Sequence, residues 1–142
     1  MMRSFDESSP AVQSHLGILQ GAISRMAASS AGVKALGITL VAALITLVGD
    51  GGNPRLLFLA LVPTLFLMLL DAYYLALEQG FRRAYRSFVA RLHNGQLVPG
   101  DLYQVAAPEV RRAFPHALLS FAVWPFYLMM AAMIGAAHFL MS

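Results

Sequence analysis

The pattern of apolar and polar positions turns periodic from residue 10. Ser9-Pro10 reads as a helix start, because serine suits the N-cap and proline the first helical position, where no donor is needed. Apolar residues follow at Val12, Leu16, Leu19, Ile23 and Met26, with Gln13, Gln20 and Ser24 opposite. That stripe predicts an amphipathic helix over 10–30 that lies on a membrane surface or packs on another helix. From 33 to 48 the run VKALGITLVAALITLV carries one charge, Lys34, at its start. Sixteen residues are slightly short for a hydrocarbon core of about 30 Å, and the small residues AASSAG before it extend the span. GDGGNPR, residues 49–55, is a turn cluster. Residues 56–77 predict a second span, with Pro63 as a candidate kink.

Helical spacing then continues through 78–95. Phe81, Tyr85, Phe88 and Leu92 make one face, and Asn94-Gly95 supplies the stop. Residues 96–116 read as a connector in which Pro108 opens a short helix that ends before Pro115. Residues 117–141, ALLSFAVWPFYLMMAAMIGAAHFLM, hold no formal charge and are long enough for a third span, kinked at Pro125. The fold class is therefore an all-α integral membrane protein, a single membrane domain. It has an amphipathic N-terminal helix, a transmembrane hairpin continuing into a basic cytosolic helix, and a third hydrophobic helix.

Composition supports this. The chain is 58% hydrophobic and 12% charged, against roughly 45–50% and 25% for soluble domains. Cysteine is absent, which excludes disulfides, thiolate metal sites and cysteine nucleophiles. The first ten residues lack the charged-then-apolar order of a cleavable signal. Charge placement sets the topology. Arg3, Arg25 and Lys34 precede the first span, six arginines separate the second from the third, and only Arg55 lies in the turn. The positive-inside rule puts the N-terminus and residues 78–116 in the cytoplasm.

The stretch LLDAYYLALEQGFRRAYR, residues 69–86, then reads as a helix leaving the bilayer. Tyr73 and Tyr74 suit the interfacial aromatic belt. Glu78 and Arg82 form an i,i+4 pair in the favourable order. Arg82, Arg83, Arg86 and Arg91 face lipid headgroups or an anionic ligand. Asp71 is a costly intramembrane carboxylate and asks for a partner. Counting from Gly52, Lys34 lies 18 residues before and Asp71 19 after, so an antiparallel hairpin puts them level. Arg25 and Glu78, 27 before and 26 after, are level too. Both are candidate structural ion pairs. A pore or proton role for Asp71, or a solvated, snorkelling carboxylate, are the alternatives.

Gly17 and Gly21, Ala28 and Gly32, and Ala131 and Gly135 are small-residue pairs suited to close helix packing, within one protomer or between subunits. His15, His93, His116 and His138 have no ligand spacing, so no metal is expected. No catalytic triad, paired carboxylates, phosphate loop or dinucleotide fingerprint is present, so neither an enzyme nor a cofactor is expected. A basic helix beside a bilayer also speaks against nucleic acid as partner.

Residues 15–85 resemble a known family. HLGILQGAISRMAASS, then GITLVAALITLV, then LVPTLFLMLLDAYYLALEQGFRRAYR is similar to the SLATT-type bacterial membrane proteins, which have two transmembrane helices and flanking cytosolic helices. LLDAYYLALEQGFRRAYR carries the likeness most specifically, with QGAISRMA in support. The resemblance implies an effector of anti-phage or abortive-infection systems. Such an effector oligomerises, forms a pore or disrupts the bacterial inner membrane, and is triggered through a separate nucleotide-signal sensor protein. The alternative is a structural or accessory subunit of an inner-membrane complex. A transporter ranks third, since the chain is short for an inverted repeat.

Overall fold

No proline interrupts the chain from Ala11 to Asn53, and alanine and leucine dominate it, so a helix begun at Pro10 has nothing to stop it. The computed structural model describes residues 5–142. Arg3, used above to argue topology, lies outside the described residues. Helix α1 runs unbroken over Pro10–Gly49. The surface helix and the first span expected separately are thus one rod of 40 residues, about 60 Å long. Ser9 occupies the N-cap position without a side-chain cap. Its hydroxyl donates instead to the Asp6 carboxylate at 3.0 Å.

The turn relies on Gly51, whose φ of 106° suits glycine, and on Asn53, whose side chain accepts from the Arg55 N–H. A 3₁₀ segment, Pro54–Ala60, leads into α2, Leu61–His93. Pro63 does not kink the middle of the span. It sits in the first turn of α2, where a missing donor costs least. Gly95, at φ 67°, ends α2 as Gln96 N–H reaches back to the Arg91 carbonyl at 2.9 Å.

The third apolar run is not one helix. Helix α3 spans Val110–Leu118 and contains Pro115, contrary to the expectation that it ends first. The carbonyl deprived of a donor belongs to the exposed Arg111, within reach of solvent. Ser120 then takes hydrogen bonds from the N–H groups of Val123 and Trp124 and forms a corner. Helix α4, Trp124–Met141, starts beyond it. Pro125 opens this helix rather than kinking it.

Three helices are long and apolar enough to cross a membrane: Pro10–Gly49, Pro54–His93 and Trp124–Met141. In the membrane half, α1, α2 and α4 share a core of Val41, Leu57, Ala72, Tyr127, Met130 and Ile134. Outward-facing side chains there are large and apolar, including Phe66, Met129, Phe139 and Leu140 at 69–82% exposure. A water-facing surface of that kind would aggregate, whereas lipid accommodates it. The stalk half is the remainder of the α1–α2 hairpin. There the stripe of α1 finds its partner in α2, with Val12 packed on Phe88 and Leu92. Residues 96–109 cross back to α3, which seats Ala113 and Ala117 on Ala76.

Candidate functional site

At the junction of the two halves, helical geometry places Lys34 of α1 against Asp71 of α2. Lys34 Nζ donates to Asp71 Oδ2 at 2.5 Å and to Ser30 Oγ at 3.1 Å. The Ser30 hydroxyl donates to Asp71 Oδ1. Asp71 is fully buried, while the Lys34 side chain keeps 23% exposure. Nζ also lies 5.9 Å from the centre of the Phe126 ring on α4. One carboxylate, one ammonium and one hydroxyl thus bind one another across α1 and α2. Ser30, one turn before Lys34, was missed in the sequence, although the i,i+4 spacing is visible there. Tyr127 caps the cluster from α4, its hydroxyl donating to the Leu67 carbonyl at 3.2 Å.

The level pair Arg25 and Glu78 does not form. Glu78 binds Arg82, with Arg82 Nη2 at 2.7 Å from Oε1. Equal depth fixes only the axial coordinate. Arg25 precedes Lys34 by nine residues, about two and a half revolutions, so it points away from α2 when Lys34 points towards it. Glu78 follows Asp71 by two near-complete turns and keeps the α1-facing side.

The four arginines separate into different environments. Arg82 and Arg86 line an open cleft between α1 and α2, bridged by Gln20 Nε2 donating to the Tyr85 hydroxyl at 3.4 Å. Arg83, about 60° further round α2 than Arg86, lines a second cleft towards α3. Arg91 turns under the connector and pairs with Asp101 at 2.8 Å, while its side chain keeps 43% exposure. Tyr73 and Tyr74 stack edge-on, ring centres 5.9 Å apart, just below Asp71. Phe121 on the corner and Trp124 at the start of α4 add a second aromatic pair 6.4 Å apart.

The connector is latched to α1 by a contact the sequence did not suggest. The Tyr103 N–H donates to His15 Nδ1 at 3.0 Å. Tyr103 adopts φ 61°, a left-handed conformation that a tyrosine seldom takes. The His15 ring is buried and stacks on Phe88 with centroids 4.3 Å apart. Burial pushes the His15 pKa below its ordinary value. Arg91 adds to that, and Asp101 opposes it. The Asp101 carboxyl is held low, first by the Val98 N–H and then by Arg91. His93 touches Glu7 at 3.0 Å, and His138 Nδ1 lies 3.1 Å from the Pro54 carbonyl, so these histidines occupy separate places.

The glycines of the small-residue pairs do not pack inside the protomer. A Cβ built on Gly17, Gly21, Gly32 or Gly135 would meet no atom within 4 Å. Ala28 is exposed as well, and Ala131 borders an apolar groove between α2 and α4. Gly37, beneath Met130, and Gly80, beneath Pro108, do pack between helices. Along α1, Ser14, Gly17, Gly21, Ser24, Ala28, Ala31, Ala35 and Ala42 share one exposed face. Apart from the double step across Ile38, their spacing alternates three and four, a seam period. No family model, no curated protein and no solved structure matches the chain.

Proposed function

We propose that this chain is an oligomeric effector that forms a pore in, or disrupts, the inner membrane of a bacterium during anti-phage or abortive-infection responses. The N-terminus lies in the cytoplasm. One observation carries the oligomer: the exposed, heptad-spaced small-residue face of α1. Small residues let two backbones approach closely, in lipid as in water. The defence role rests on the resemblance of residues 15–85 to SLATT proteins, and a separate sensor protein supplies the trigger. Orientation rests on the arginines, which gather on the stalk side of Asp71 while Arg55 sits at the opposite turn.

Reconstitution tests this reading. The protein in liposomes assembles beyond a monomer and releases a trapped dye, and its overexpression depolarises the inner membrane. A strictly monomeric protein without leakage or toxicity supports the second reading, an accessory subunit of a membrane complex. That reading has its own observation: the membrane-level charges of Lys34 and Asp71 neutralise each other inside the protomer instead of lining a path.

A further inference from the structure

Gly80 lets the start of α3 lie directly on α2. A Cβ at that position would overlap the Pro108 ring, so only glycine permits the approach. Ala113 and Ala117 stack on Ala76 one and two turns further on. This contact aims two i,i+4 pairs at each other. Gln79 and Arg83 form one wall of an open cleft of about 620 Å³, and Arg112 and His116 form the other. Among the described residues Arg83 has no carboxylate within salt-bridge distance. Arg112 reaches Glu109 only at 3.7 Å, with both side chains at least 80% exposed, which is a weak tie.

Depth narrows the ligand. Gln79 and Arg83 follow Tyr74 by five and nine residues, about 8 and 14 Å along the axis. The cleft therefore lies just outside the aromatic belt, at the level of the headgroups. The corner above it exposes Leu119 at 76% and Phe121 at 83%, an apolar surface suited to acyl chains. The cleft between α1 and α2 differs, because its Arg82 is already bound to Glu78.

We propose that the α2–α3 cleft is a seat for a phosphate group of net negative charge, supplied by the headgroup of an anionic lipid. Arg83 and Arg112 bring forked donors from opposite walls, a geometry suited to phosphate oxygens. Gln79 and His116 add donors, and the amino end of α3 adds its partial positive charge. Glu109 competes for Arg112 and is displaced when phosphate binds.

The test uses the full chain in neutral detergent, titrated with phosphatidylglycerol or phosphatidylcholine and read by native mass spectrometry. A parallel arm titrates inorganic phosphate by calorimetry. Wild type retains phosphatidylglycerol over phosphatidylcholine by about tenfold. Arg83→Gln with Arg112→Gln abolishes that preference, and Arg82→Gln with Arg86→Gln keeps it. Glu109→Gln raises retention about threefold, a gain that misfolding cannot imitate. Inorganic phosphate bound by wild type but not by Arg83→Gln/Arg112→Gln, without a lipid preference, keeps the seat and assigns it a soluble source. Equal behaviour of wild type and Arg83→Gln/Arg112→Gln in both arms overturns the proposal.

Discussion

The backbone N–H of Tyr103 points at the Nδ1 lone pair of His15, 88 positions away in the chain. That bond requires a neutral imidazole with its proton on Nε2. The His15 pKa in the fold lies below 6.5, so the released state takes up protons first. The latch is therefore fully present above about pH 6.5 and is lost as pH falls through the lowered folded value. Hydrogen exchange of the Tyr103 amide, corrected for the intrinsic rate, reads this out. Protection falls about fivefold under acid conditions, the worth of one hydrogen bond. His15→Phe lowers protection at neutral pH and removes the acid dependence. Constant protection in wild type would show that another contact holds the turn.

Asp71→Asn leaves the Lys34 ammonium without a counter-charge at the edge of the hydrocarbon. Breaking a buried pair costs about 3–5 kcal/mol in a soluble interior. Lys34 retains 23% exposure and a long stem, so it relaxes outward and the loss is about 1–2 kcal/mol. Earlier thermal aggregation in detergent measures it. Lys34→Met with Asp71→Leu recovers most of the loss. A double variant as unstable as Asp71→Asn would mean that the cluster holds the helices by something other than charge balance.

Two glycines give opposite outcomes. Gly80→Ala drives a methyl into the Pro108 ring and costs about 1–3 kcal/mol, visible as a lower melting temperature and looser α3. Gly21→Ala meets open space and leaves the monomer as stable or up to about 1 kcal/mol more so. Gly21→Leu keeps the monomer intact but shifts sedimentation towards smaller species. Unchanged assembly in Gly21→Leu would remove the α1 face from the interface.

Single cysteines at Gly51, Gln96 and Ser142 test orientation with an impermeant thiol reagent applied to intact cells. Gly51 and Ser142 react and Gln96 does not. Protection of Ser142 with reaction at Gly51 would show that α4 fails to cross.

Depth was legible in the sequence, and azimuth only in part. Lys34 and Asp71 share both depth and facing side, and the residue count from the turn found them. Arg25 shares depth with Glu78 but lies half a revolution away from Lys34, a consequence of 3.6 residues per turn that a count of depth alone leaves out. Helix breaks are hard to place where proline has two roles. Pro63 and Pro125 look like kinks in a hydropathy pattern, yet each sits in a first turn. The corner at Ser120 carries no glycine or proline of its own, so the run 117–141 looks continuous. The His15 latch and the α2–α3 cleft depend on the fold of residues 96–109, and non-local contacts of that kind leave no periodic trace.

Because α1 has no proline between Ala11 and Gly49, its two ends belong to one continuous rod. The clamp at Lys34 divides it into arms of 24 and 15 residues, about 36 and 22 Å. At one end Val12 is held to α2 by Phe88 and Leu92, and at the other Val41 and Val48 are held in the membrane-half core, so a load on the stalk tip is shared with α2. A partner that touches only the stalk therefore loads α1 and α2 together rather than α1 alone.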